Sequence, residues 1–300
     1  MVGALIVAGS LLAACSSGPS GATAGASAPA SAAASGGATG TLDRIKAAKS
    51  VKVAFANEQP FSYDEGGKLT GATPALLAAV LKEQGVDNLE GVLTEFSALI
   101  PTLQSGRVDI ISAGMFINPT RCKEVIWGNP EYQTGEAFVV KKGNPKNLKS
   151  FADVAADKTA KVAVLLGSEE VEFADIAGIT KDQQVVVPDY ATGISSLQAG
   201  QVDAVIQLTI SLRPLFERTN DPNLEFVYLA EQPKNKDGKS ITSYGGTAFR
   251  KEDTALRDLY NVGLKKLRDS GQQLALMSTF GFTEEDLPPA DLLSDKICAG

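Results

Sequence analysis

A short phrase occurs twice in this 300-residue chain: Leu103 to Asp109 reads LQSGRVD, and Leu197 to Asp203 reads LQAGQVD. Each copy runs into an apolar stretch, Ile110-Ile111 in the first and Ala204-Val205-Ile206 in the second. In physical terms each is the end of a helix, a glycine stop, a polar turn and a buried strand. One such unit is common in α/β proteins, whereas two predict two similarly built lobes in one chain. Two lobes leave a cleft between them, and such clefts are where small ligands bind.

The patterning around the repeats agrees. It predicts a helix over 43–48, a strand over 51–56, a turn at Gly66-Gly67 and a helix over 73–84 stopped by Gly85. A strand over 92–96, a helix over 98–105 and a strand over 109–113 follow, and this β-α-β-α-β order favours a parallel sheet. The second run repeats the plan. It has strands over 136–141, 162–166, 184–187 and 204–207, a helix opened by Gly167-Ser168 and another over 193–199. A strand over 247–250 and helices over 253–270 and 272–280 remain, too few for a third domain. They return to complete the first lobe. The expected architecture is therefore α/β and two-lobed, each lobe a mostly parallel sheet flanked by helices. Residues 42–134 and 246–300 make lobe 1, and residues 135–245 make lobe 2. Two crossing segments, near 130–135 and 243–246, form a hinge.

Composition excludes several chemistries. The chain has 28 Lys+Arg against 35 Asp+Glu, a net charge of −7, which argues against nucleic acid as a partner. It has no histidine, so a Ser-His-Asp triad and a His-bearing zinc site are both ruled out. No metal, cofactor or catalytic residue is expected.

The N-terminal residues 1–14 are apolar and too short to span a bilayer as a helix. Leu12-Ala13-Ala14-Cys15 resembles the lipobox of bacterial lipoproteins, in which the cysteine carries lipid; no Lys or Arg precedes it here. The other reading is an ordinary secretory signal ending near a cysteine. Residues 16–41, rich in Ser, Ala, Gly and Pro, have little to bury and are expected to form a disordered tether. With Cys15 lipidated, Cys122 and Cys298 remain. Outside the cytoplasm an even remainder suggests a disulfide tying the tail to lobe 1, against two separate thiols.

The segment SAGMFINPTR, Ser112 to Arg121, lies at the carboxyl end of a predicted parallel strand, the edge where open α/β sheets bind ligands. Gly114 lets backbone approach a ligand. Asn118-Pro119 reads as a helix cap and first turn, whose free N–H groups favour an anion. Arg121 adds a planar fork for a carboxylate. Phe61 follows the first strand, Phe96 ends the second and Phe116 follows the third, and the three are expected to converge, a set of rings suited to a delocalised cation. Glu58, in ANEQPFSY, is either an acceptor for that cation or a solvated loop acid. Ser168 and Glu170 open a helix straight after a strand, which makes them cleft residues or simply a cap and its acidic first turn.

The lobe plan, the hinge positions, SAGMFINPTR and the tail YGGTAFRKED resemble the solute-binding proteins of ABC importers, of the polar amino-acid type. The resemblance covers nearly all of residues 42–300 and implies the two-lobed periplasmic-binding-protein fold (type II), a monomer, and permease subunits as partners. It also implies a ligand carboxylate on Arg121, with backbone near Gly114 assisting. Many amino-acid binders of this type carry an acid for the α-ammonium where Leu208 stands here, and Thr or Ser where Phe116 stands. An ammonium desolvated with no acid partner is costly. The phrases FANEQPFSYDEGGKLTG, TEFSALIPTLQSGRVDIISAGMFINPTRCKEV and YQTGEAFVVKKGNPKNL resemble the ectoine/hydroxyectoine-binding group within that family. That implies a small zwitterionic ligand whose carboxylate meets Arg121. Its cyclic amidinium would be boxed by Phe61, Phe96 and Phe116, with Glu58 accepting a ring N–H. The alternatives are a polar amino acid as ligand, or an enzyme on the same fold akin to cyclohexadienyl dehydratase.

Overall fold

The computed structural model describes residues 40–235 and 237–299. The lipobox with Cys15, and the tract that follows it to residue 39, lie outside the described residues. Residue 41, expected as the last of the tether, instead opens the helix Thr41–Ala48, with Gly40 at its N-cap.

The protein is two-lobed, and each lobe is built on a five-stranded sheet. In lobe 1 the strand order is Asn88–Leu93, Ser50–Phe55, Ile110–Ile111, Ala248–Phe249, Ile126–Trp127. In lobe 2 it is Gln184–Val187, Val162–Leu165, Ala204–Leu208, Glu136–Lys141, Leu224–Tyr228. The first three strands of each sheet pair parallel and the last two pair antiparallel. The sheets are thus mixed, with the parallel part of each confined to its helix-connected strands. Parallel neighbours need a crossover helix. Strands that arrive directly from the other lobe have none, and they add in the antiparallel sense.

The chain passes between the lobes along two strands, Tyr132–Thr134 and Ser243–Gly245, which pair antiparallel with Gly245 opposite Tyr132. Beside them, Glu131 is fully buried and its Oε1 accepts from the Thr247 N–H at 2.8 Å and the Tyr260 hydroxyl at 2.7 Å. Gln273 Nε2 donates to the Glu131 carbonyl at 2.7 Å. The helices Thr254–Asp269 and Gln272–Ser278 are thereby fastened to the crossing, and their Leu256, Leu264 and Met277 fill the lobe 1 core beside Leu76 and Leu81.

The two repeat copies make the same joint. Each ends a helix, Leu99–Gln104 or Tyr190–Gln198, through a left-handed glycine: Gly106 at φ 72° and Gly200 at φ 74°. Their N–H groups donate to Leu103 and Leu197 carbonyls, both at 3.0 Å. The aspartates then clasp the neighbouring parallel strand by its backbone. Asp109 donates its N–H to the Lys52 carbonyl at 2.8 Å and accepts the Lys52 N–H on Oδ2 at 3.0 Å. Asp203 does the same with Lys161, at 2.7 Å and 2.8 Å.

Several elements depart from the sequence reading. The strand expected over 92–96 lies at Asn88–Leu93, and Phe96 instead opens a 3-10 turn, Phe96–Ala98. Pairing with Ser50–Phe55 runs from Asn88 to Leu93, which exhausts the partner strand. The helix expected from Gly193 starts at Tyr190, capped by Asp189, whose Oδ1 accepts the Thr192 N–H at 2.7 Å. The helix Thr209–Thr219 and the strand Leu224–Tyr228 were not foreseen. Cys122 and Cys298 are joined by a disulfide, Cα–Cα 5.7 Å, between the short helices Pro119–Cys122 and Ser294–Ala299.

Candidate functional site

The carboxyl ends of the parallel strands of both sheets meet around one small, tightly closed-down cavity, in which only about 10 Å³ is open to the centre of a water-sized sphere. From lobe 1 it is lined by Glu58, Phe96, Gly114, Phe116 and Arg121; from lobe 2 by Ser168, Glu169, Glu170, Tyr190 and Leu208. That is room for about one water, far below the ~300–1,000 Å³ of ligand pockets, so a solute enters only if these walls move apart. Glu58, Phe96 and Tyr190 also line an adjoining recess with Gln207 and Ser211.

Arg121 is 8% exposed and acts across the cavity. Its Nη1 donates to the Phe116 carbonyl at 2.8 Å and its Nη2 to the Gly167 carbonyl of lobe 2 at 3.0 Å, while its Cζ sits 5.7 Å from the Phe96 ring centroid. A guanidinium carries five N–H donors, so these two bonds leave three for a ligand carboxylate. The Asn118 side chain takes the Arg121 N–H on Oδ1 at 2.7 Å, and the helix it caps is only Pro119–Cys122. This corrects the expectation of free helix N–H groups for an anion. The guanidinium is the group of this loop with donors to spare.

The remaining charged groups are acids. Glu58 Oε1 accepts from Gln207 Nε2 and Ser211 Oγ, each at 2.9 Å and each from lobe 2. Burial pushes the Glu58 carboxyl up to about 7, against the lowering effect of those two bonds. Glu169, bonded to Asn118 Nδ2 across the lobes, is likewise raised by burial to about 7. Glu170 accepts the Tyr190 hydroxyl at 2.9 Å and is raised by burial. Behind them Glu136, 1% exposed, is held well above the usual carboxylate range by burial and then by Glu170. Low-dielectric surroundings disfavour charge, and like charges nearby add to that.

Most residues singled out from the sequence meet here, but their roles differ. Phe96 and Phe116 line the cavity. Phe61 does not: its ring is fully buried, 4.5 Å from Tyr132 and 5.6 Å from Phe282, one layer behind Gly114. A Cβ on Gly114 would stand 2.5 Å from Phe61 Cδ2 and 2.9 Å from Glu58 Oε2, so glycine is required by close packing there. Ser168 stands at the N-cap of Glu169–Ile176 without capping it, and its Oγ is buried with no hydrogen-bond partner. Tyr190, Glu169, Gln207 and Ser211 were missed. The signal for Tyr190 was present, since Asp189 to Thr192 has the spacing of a helix cap.

Among the described residues no group of His, Cys, Asp and Glu is arranged to hold a metal ion. No helix among them is long and apolar enough to cross a membrane.

Comparison with known proteins agrees with this geometry. The family model of the bacterial extracellular solute-binding proteins, family 3, matches residues 51–283. A probable amino-acid ABC transporter periplasmic-binding protein, y4tE of Sinorhizobium fredii (strain NBRC 101917 / NGR234), is 31% identical over 263 residues, 86% of each chain. The crystal structure of EhuB in complex with hydroxyectoine aligns with a TM-score of 0.78 at 35% identity, covering 86% of this chain and 97% of that one. The ancestral amino acid-binding protein AncCDT-1, a precursor of cyclohexadienyl dehydratase, aligns with a TM-score of 0.69 at 28% identity, covering 80% and 99%. The chain belongs to the bacterial extracellular solute-binding proteins, family 3.

Proposed function

We propose that this protein captures a small zwitterionic compatible solute, ectoine or hydroxyectoine, outside the cytoplasm and delivers it to the permease subunits of an ABC importer. The observation that carries the reading is the composition of one closed cavity. It holds a single guanidinium with spare donors, the aromatic rings of Phe96, Phe116 and Tyr190, and buried carboxyls. A carboxylate joined to a flat, delocalised amidinium uses all three features. Arg121 takes the carboxylate, the rings cover the amidinium face, and Glu58 or Glu170 accepts its N–H groups. Ser168 supplies a further hydroxyl, and Phe61 supports the pocket from behind Gly114. The similarity to EhuB, solved with hydroxyectoine, points the same way.

The protein works as a lipid-anchored monomer, held by Cys15 and the tract after it. Lobe 1 comprises residues 42–134 and 246–300, and lobe 2 residues 135–245. The crossing strands act as the hinge that closes them on the solute.

A second reading keeps the transport role and makes the ligand a polar amino acid, as the name of the Sinorhizobium relative suggests for that protein. Leu208 itself offers an α-ammonium no charge, so on this reading the ammonium turns to Glu58 or Glu170 instead. Titration calorimetry with ectoine, hydroxyectoine, proline betaine, L-glutamine and L-arginine decides between the two. Preference for an α-amino acid over ectoine refutes the compatible-solute reading. Arg121→Ala is expected to weaken binding more than about 100-fold, from the loss of two charge-assisted bonds. Phe116→Ala also weakens it, and retained affinity in both variants places the site elsewhere.

A further inference from the structure

Glu136 is the first residue of the strand Glu136–Lys141, immediately past the crossing strand Tyr132–Thr134. It is 1% exposed, and neither of its carboxyl oxygens has a hydrogen-bond partner. The antiparallel register sets it opposite Leu208, which lines the cavity. Residues directly opposite in a sheet project from the same face. The next pair on that face, Phe138 with Ile206, lies in the closed core of lobe 2. Glu136 therefore stands where that core gives way to the cavity, on the cavity's side of the sheet. After burial itself, the groups acting on it are Glu170, Glu169 and Glu58, three acids that line the same space. Ser168 Oγ, also on the cavity wall, is buried without a partner too.

Buried polar groups are almost always hydrogen-bonded, and one left alone destabilises the fold. A carboxyl with two lone oxygens among other acids therefore contributes nothing to holding lobe 2 together. Its surroundings suit a donor carrying positive charge.

We propose that Glu136 is a ligand-binding residue that, with Glu170, forms an acceptor pole for the N–H groups of a cationic moiety, amidinium, guanidinium or ammonium, on a solute whose carboxylate is held by Arg121. Glu58 Oε1 is already occupied by Gln207 and Ser211, so this pole adds acceptors to the one Glu58 still offers through Oε2. The inference rests on the reading of the cavity as a solute site, and does not require the solute to be ectoine.

The test compares the wild type with Glu136→Gln, which keeps the shape and one acceptor but cannot become a carboxylate when a cation binds. Calorimetry with hydroxyectoine, ectoine, L-arginine and L-glutamine is run beside thermal scans of the ligand-free proteins at pH 8. The variant is expected to bind the preferred solute about 10–100-fold more weakly, while its ligand-free melting temperature stays equal or rises. Affinity within about twofold of wild type, a lowered melting temperature, or failure to fold overturns the proposal. If an amino acid binds in place of ectoine, the compatible-solute reading fails and Glu136 is judged on that amino acid. If none of the four binds, the solute reading fails for these ligands and the thermal scan decides the role of Glu136: a rise supports it, and no change or a fall overturns it.

Discussion

Acidification should release the solute, and the structure sets the size of the effect. Glu58 is a buried carboxyl pushed up to about 7, well above its ordinary 4.5, because desolvation outweighs its bonds from Gln207 and Ser211. Without solute it holds a proton at pH 5.5 and has largely lost it at pH 8. A cationic ligand group favours the carboxylate, so binding at the lower pH must first expel that proton. The cost grows by about 1.4 kcal/mol per pH unit below 7, so affinity falls roughly thirtyfold between pH 8 and pH 5.5 for this one group. Calorimetry in two buffers of different ionisation enthalpy reads the proton directly: about 0.9 released per solute at pH 6 and about 0.1 at pH 8 from Glu58. Glu169, also raised to about 7, and Glu170 add to that release wherever the solute draws them into the charged form. Glu58→Gln should remove close to one proton of it. The stability of the solute-free protein carries the opposite sign. A carboxyl raised from 4.5 to about 7 gives the native state extra protons in that window. The resulting stabilisation is complete below pH 4.5 and disappears as the pH climbs through 7. Affinity that is flat between pH 5.5 and 8, or better in acid, refutes the assignment of these acids to the cationic part of the ligand.

Gly114→Ala should weaken solute binding at least about tenfold while the protein still folds, because the new Cβ displaces Phe61 or Glu58 from beneath the cavity; calorimetry and a circular-dichroism melt separate the two effects. Replacing Cys122 and Cys298 with serine should cost about 2–5 kcal/mol in urea denaturation, the upper figure following from a sequence separation of 176 in the chain-entropy account. Tyr260→Phe removes the 2.7 Å donor to Glu131 and should destabilise by about 1–3 kcal/mol, read as a shift in the denaturation midpoint at unchanged slope.

The legible parts of this chain were those governed by local rules. The repeated LQxGxVD could be read as a helix stop and strand entry because the left-handed glycine acts over a few residues, whereas the aspartate clasps, made to strands 57 and 42 residues away, were not legible. Arg121, Phe96 and Phe116 were found because a residue shortly after a parallel strand must stand at the binding edge, whatever the tertiary detail. Phe61 obeyed the same rule and still misled, since reaching the edge does not decide which of two rings lies in front. Tyr132 and Phe282, distant in sequence, drew it behind Gly114. Glu136 was invisible for a related reason. In EAFVVK it is the polar start of an ordinary strand, and only the register sets it opposite Leu208, which lines the cavity. The strand Leu224–Tyr228 has weak alternation because it is an edge strand, buried mainly at Leu224.

The polar contacts that join the two lobes at the cavity come from the cavity residues themselves. Arg121 reaches the Gly167 carbonyl, Glu58 receives Gln207 and Ser211, and Asn118 meets Glu169. Separating the lobes breaks all of these and exposes a guanidinium and several carboxyls to water, which solvates them well. Closing them without a solute strips that water while leaving three Arg121 donors and the Glu136 oxygens without protein partners. A zwitterion of the right length supplies both missing sets at once. A ligand shifts a conformational equilibrium only by its differential affinity for the two states. Here that difference is large by construction, because one lobe carries the guanidinium and most of the cavity's acids belong to the other. On the proposed site, neither half alone would bind both ends of the solute. A ligand lacking one of its two charges should therefore lose closure as well as contact energy.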